Sequence, residues 1–205
     1  MTKITLTPAE FTLVKFTADA VRGLAERNAK AVDFPADVDV LMEVDEVLPA
    51  PLIGSYVDVI DGKVSLWFTG GSFEDSRYQG QIHEVNASTE LAAAFLRGRD
   101  RLSGGFADAP KDDTISERQR AVWDVYTEGR LMRLGFEVRE PRRRYTFRLH
   151  CGFNDVADAE YVRLWGAHEL SWSDVEETAA KLEAADSRPV AKKKVLRRET
   201  LRDTA

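Results

Sequence analysis

Long apolar runs are missing from this chain of 205 residues, the longest being LAAAFL at 91–96, against the roughly 20 apolar residues that a membrane-crossing helix needs. No membrane span is therefore expected. The opening MTKITLTPAEF lacks the charged segment, apolar stretch and small-residue cleavage site of a secretory signal. The single cysteine, Cys151, has no intrachain disulfide partner, which predicts a reducing, cytoplasmic location. Histidine is scarce too: His83, His150 and His168 are scattered, and His83-Glu84 lacks the second histidine that puts two zinc ligands on one helical face. No serine stands in a Gly-x-Ser-x-Gly turn, and Gly70-Gly71 lacks the lysine and helix start of a phosphate loop. These absences predict neither cofactor nor metal, and leave no motif that fixes a catalytic chemistry.

What is present is ordinary in amount and uneven in placement. The 43% hydrophobic and 31% charged residues suit a globular chain, one long enough to bury roughly 70% of its unfolded surface. The net charge is −6, but residues 188–205 hold seven bases against two acids. That segment carries +5 and the preceding 187 residues −11. The expected organisation is a single α+β domain over 1–187 followed by a basic, flexible tail at 188–205.

Pattern supplies the elements. Pro8 and the stripe Phe11, Val14, Ala18, Val21, Ala25 predict a first helix running from residue 8 to about 32, with Thr7 as N-cap. Alternation of Val38, Val40, Met42 and Val44 with acids predicts a half-buried strand at 36–46. In YVDVIDGKVSLWF, Asp61-Gly62 supplies the positive φ angles of a two-residue hairpin turn. Counting outward from the turn pairs Ile60 with Lys63, Val59 with Val64, Val57 with Leu66 and Tyr56 with Trp67. The valine and leucine pairs mark the core face, and Tyr56 and Trp67 the opposite one. GGSFEDSRYQGQIHE at 70–84 reads as a surface loop, followed by a helix that stops at the Ser-Gly-Gly of 103–105. Ser116 and Gln119 form a capping-box pair opening a helix that Gly135 closes. RRRYTFRLHCGF at 142–153 alternates Tyr145, Phe147, Leu149 and Cys151 with polar residues and reads as a fourth strand, with helices near 155–168 and 173–186 after it. The predicted fold is α+β: a mainly antiparallel sheet of about four strands, a three-stranded meander plus one, with helices packed on one face.

Three functional readings follow. The leading expectation is a non-enzymatic protein-binding module, adaptor or regulatory, anchored on Tyr56, Trp67, Phe73 and Tyr78, because tyrosine and tryptophan are frequent interface anchors. The second is a nucleic-acid-associated protein, contacting phosphates through Arg142, Arg143, Arg144 and Arg148 and through Lys192, Lys193, Lys194, Arg197 and Arg198 of the tail. Against it stands internal pairing of Arg144 and Arg148 with Asp39, Glu43 or Asp45 of the acidic strand. The third is a hydrolase built on Glu74, Asp75, His83 and Glu84; Glu117, Asp124 and Glu128 share one side of a helix, where Arg118, Arg120 and Arg130 make a solvated, salt-bridged face the expectation. No membrane partner is expected, since the tail has too few large apolar residues for an amphipathic anchor.

Overall fold

A computed structural model describes residues 2–75 and 77–186. In chain order these form β1 (Ile4–Thr7), α1 (Ala18–Ala31), β2 (Val40–Asp45), the hairpin β3 (Ser55–Ile60) and β4 (Lys63–Thr69), a small hairpin β5 (Glu74–Asp75) and β6 (Tyr78–Ile82), then α2 (Glu84–Leu102), α3 (Glu117–Arg133), α4 (Glu140–Cys151), α5 (Asp155–Gly166) and α6 (Trp172–Ala185).

The fold is α+β, as the pattern predicts, but its four-stranded sheet is mixed, in the order β1-β2-β4-β3. β1 and β2 are parallel, β2 and β4 are parallel, and only the β3-β4 pair is antiparallel. The expected meander fails because the second strand of the hairpin, not the first, lies against β2. Val64, Leu66 and Phe68 of β4 are fully buried, as suits a central strand, whereas β3 carries the polar Ser55 and Asp58 to the sheet edge. Within the hairpin the register is the one counted from the sequence, Tyr56 opposite Trp67 and Ile60 opposite Lys63. Asp61 and Gly62 take the φ values of 51° and 73° that the turn demands.

The first helix starts ten residues later than Pro8 suggests. Thr7 ends β1, and Thr17 is the true cap, its side chain accepting the Ala20 N–H at 3.2 Å. Residues 8–17 find other backbone partners: the Glu46 carboxylate accepts the N–H groups of Thr12 and Leu13 at 2.8 and 2.7 Å, and Lys15 donates to the Gly80 carbonyl at 2.9 Å.

The predicted strand at 142–153 is helix α4. Strand geometry would set Tyr145, Phe147, Leu149 and Cys151 on one face; a helix, turning 100° per residue, splits them. Phe147 and Cys151, four apart, are fully buried, while Tyr145 and Leu149, also four apart, are 58% and 47% exposed. Pro141 in the first turn fits the helix start.

Two hydrophobic clusters result. One joins α1 and α2 to a single face of the sheet through Val21, Leu24, Met42, Leu66, Leu91 and Phe95. The other lies among α3 to α6 around Trp123, with Phe106 stacked on it at 5.0 Å and Trp172 edge-on at 6.0 Å. Asp100 of α2 joins them: it accepts the Trp123 indole N–H at 2.9 Å and two Arg130 N–H groups at 2.7 and 2.6 Å, all buried. Gly129 lets α3 touch α5, since a Cβ there would come within 2.2 Å of the Trp165 carbonyl oxygen.

Candidate functional site

With α1 and α2 on the face bearing Val40, Met42, Leu66 and Val57, the opposite face of the sheet is built from the alternate residues. In register across it run Thr7, Glu43, Trp67 and Tyr56, and beside them Thr5, Leu41, Ser65 and Asp58. The Tyr56 and Trp67 rings lie 5.3 Å apart and are half-buried. Leu41 and Ile60 on the same face are 41% and 53% exposed. This is an apolar band with Glu43, Asp45 and Lys63 around it and Asp58 beside it, paired with Arg101 at 3.8 Å. The Arg120 guanidinium lies 5.5 Å from the Tyr56 ring centre, closing the band at the sheet edge.

That edge is blocked. Asp112, from the segment between α2 and α3, accepts the Val57 N–H at 2.9 Å and donates its own N–H to Asp58 at 3.0 Å. It therefore occupies the positions another strand would use. The carboxylate is wholly buried among three guanidiniums, with contacts of 3.2 Å to Arg120, 3.5 Å to Arg101 and 3.6 Å to Arg97. Burial alone would raise the Asp112 carboxyl, but Arg97, Arg120 and the Val57 N–H together hold it below the usual carboxylate range. Burial lowers Arg101 against the pull of Asp112 and Asp58.

Next to this cluster a cleft of about 310 Å³ opens between the start of β3, α2, α3 and α4. Ser55, Tyr56, Arg97 and Arg120 line one end, and Glu90, Asp124, Thr127, Glu128 and Arg143 the other. Arg143 donates from Nε to Glu128 Oε1 at 2.6 Å and from Nη1 to Asp124 Oδ2 at 3.2 Å. Burial opposes the Arg143 charge, yet Asp124 and Glu128 hold its guanidinium above the ordinary arginine value. Burial pushes the Glu128 carboxyl up, with Arg143 opposing, and burial likewise pushes up Glu90, with Arg143 and Arg97 opposing. Thr127 is 1% exposed and its hydroxyl has no hydrogen-bond partner.

Of the four anticipated partner-binding residues, the structure brings only Tyr56 and Trp67 together. Phe73 is fully buried against Phe68 at 5.2 Å and Phe16 at 6.2 Å. Tyr78 is 58% exposed on β6, in the separate two-stranded sheet. Only the second part of the stretch at 70–84 lies at the surface, on β6; Gly70–Ser72 form a buried single helical turn, and a Cβ on Gly71 would clash with the Leu52 carbonyl. Its ionisable groups hold local structure. Glu74 accepts the Ala50 N–H at 2.9 Å in the interior, Asp75 pairs with Arg77 at 3.2 Å, and His83 Nδ1 caps α2 by accepting the Asn86 N–H at 3.2 Å.

The arginines of 142–148 sit on α4, and their partners are helical carboxylates rather than those of β2. Arg143 pairs with Asp124 and Glu128, and Arg144 and Arg148 both reach Asp158 of α5. Arg142 is exposed. Lys192, Lys193, Lys194, Arg197 and Arg198 lie outside the described residues. Sequence reasoning passed over Glu90, Thr127, Arg97 and Asp112; an acid at position 90 in the otherwise small and apolar run of α2 was the one available signal. Among the described residues no group of three or more His, Cys, Asp or Glu side chains could hold a metal ion, and no helix is long and apolar enough to cross a membrane. Compared with protein-family models, curated proteins and solved structures, the chain matches none.

Proposed function

We propose that the chain is a non-enzymatic protein-binding module whose docking surface is the sheet face opposite α1 and α2. The observation that carries this is the in-register Tyr56–Trp67 pair, half-buried beside the exposed Leu41 and Ile60 on that face. An aromatic pair on a rigid sheet offers area at little conformational cost, the property of interface anchors. Glu43 and Asp45 on β2 have no ion pair among the described residues, so the fitting partner is a polypeptide with an apolar patch flanked on that side by lysine or arginine. No observation favours the nucleic-acid reading in the same way, since Arg143, Arg144 and Arg148 face carboxylates.

The test places a photo-reactive residue at Leu41 of the full chain and compares crosslinked products with and without Trp67→Ala. A discrete basic polypeptide that crosslinks to the first protein and is lost with Trp67→Ala, while the folded spectrum is kept, supports the reading. The same products from both proteins would overturn it.

A further inference from the structure

We propose that the cleft beside β3 binds an alkylammonium group, the side chain of a lysine presented by a partner polypeptide. Only the nature of the bearer rests on the protein-binding reading; the ammonium site stands on its own geometry.

The acidic end of the cleft is lined by three carboxylates, Glu90, Asp124 and Glu128, with Arg143 beside them. Asp124 and Glu128 are four residues apart on α3 and so share a face, and Glu90 comes from α2 opposite, near enough for both to act on its charge. Arg143 uses Oδ2 of Asp124 and Oε1 of Glu128. Glu90 has no hydrogen bond or ion pair among the described residues. Arg143 and Arg97 act on Glu90 only through space, without a direct contact.

The second observation is independent of the acids. Thr127 lines the same cleft with a buried hydroxyl that neither donates nor accepts within the protein. A buried hydroxyl left without a partner costs about 1–3 kcal/mol, and a threonine in a helix interior ordinarily bonds back to the carbonyl four residues earlier. Thr127 does not. A carboxylate without a direct hydrogen bond and a hydroxyl without a partner, in one cleft, describe a site with room for a donor.

The donor's shape follows from what is already in place. Arg143 fills the planar, forked position between Asp124 and Glu128, so a second guanidinium has no matching edge there. An ammonium is a compact charge with three donors, and the acceptors left over suit it: Glu90, the Thr127 oxygen, and the oxygens of Asp124 and Glu128 that Arg143 does not use. Ala93, Ile53 and Tyr56 line the same cleft and suit an aliphatic stem. The cations at the other end are committed elsewhere. Arg97 donates to Ser55 at 2.7 Å and faces Asp112, and both Nη atoms of Arg120 contact Asp112.

The experiment titrates the full, isotopically labelled chain with Nα-acetyl-lysine-N-methylamide and follows backbone amide shifts. The controls are its Nε-acetylated form and the norleucine analogue. The expected result is a saturable shift confined to residues near 89–93 and 124–128, weakened at least tenfold in Glu90→Gln and in Thr127→Val, retained in Thr127→Ser, and unchanged in Trp67→Ala. An absence of saturation, equal binding of the acetylated or norleucine probe, or full binding by a folded Glu90→Gln would each overturn it. A Trp67-dependent crosslink without amine binding removes the cleft and leaves the docking face; amine binding with Trp67-independent crosslinks does the reverse.

Discussion

Replacing Asp112 with alanine tests the largest electrostatic commitment in the molecule. The substitution removes the carboxylate that three arginines face and the acceptor of the Val57 N–H. Breaking a buried ion pair from one side costs about 3–5 kcal/mol, because the remaining charge is left uncompensated. Arg97 and Arg101 are deeply buried and Arg120 only partly so, which places two of the three orphaned cations out of reach of water. The lost Val57 bond adds a cost of about 1–3 kcal/mol, which overlaps with the first because the same loop relaxes. A net loss of about 4 kcal/mol is expected, equivalent to a fall in Tm of about 8–16 °C for a domain of this size. Asp112→Asn keeps an acceptor for Val57 and should lose less. Urea melts at pH 7 and at falling pH measure both. The Asp112 carboxyl sits below its ordinary value in the folded chain, so its contribution is complete above the unfolded value of about 3.9 and disappears as pH falls through the lower folded value. The gap between wild type and Asp112→Asn should therefore close below about pH 4. A loss under about 1 kcal/mol for Asp112→Ala at pH 7 would refute the assignment of this cluster as a structural keystone.

Further outcomes follow from burial and close approach. Phe73→Ala should cost about 3–5 kcal/mol in a urea melt, since the ring is wholly inside the first cluster; a near-neutral result would restore it as a surface anchor. Gly129→Ala should lower Tm by several degrees, because its new methyl meets the Trp165 backbone. Asp158→Asn, at the half-exposed pairs with Arg144 and Arg148, should change stability by no more than about 1 kcal/mol. Glu90→Gln should be more stable than wild type at pH 7. Burial raises the folded Glu90 carboxyl, so the folded chain loses stability as pH climbs from the unfolded value of about 4.3 through the raised one, and the two proteins should converge at lower pH.

Legibility in the sequence tracked the range of the interaction. The Asp61-Gly62 turn fixes its own φ angles and, with them, every pair outward to Tyr56–Trp67, so the hairpin was readable to the residue. The Ser116–Gln119 box spans three residues and was equally visible. What the sequence did not display was the partner of the hairpin: whether β3 or β4 lies against β2 depends on burial on both strand edges, and the four residues of β1 are too few to show a period. Alternation over 145–151 satisfied a strand template only because the two apolar pairs, four apart each, interleave; period two and period 3.6 diverge over longer runs than this one.

The site residues divide along the same line, with one difference that bears on function. Tyr56 and Trp67 were found because turn geometry sets them opposite each other on a known face. Asp112 and its arginines were not, since the groups in contact lie up to 55 positions apart and a lone acid between helices has no local signature. Glu90, Asp124 and Thr127 were invisible as a group for the same reason, yet they differ from Asp112 in outcome. Long-range convergence at Asp112 ends in direct ion pairs, even though Asp112 Oδ1 and the Nε and Nη2 of Arg101 make no hydrogen bond; at Glu90 and Thr127 it ends in a carboxylate without a direct ion pair and a hydroxyl without a bond. A chain free to vary at position 90 gains stability by replacing the acid, as the Glu90→Gln prediction states. Unmet polar groups that persist at a cost to folding mark where this protein is shaped for something other than itself.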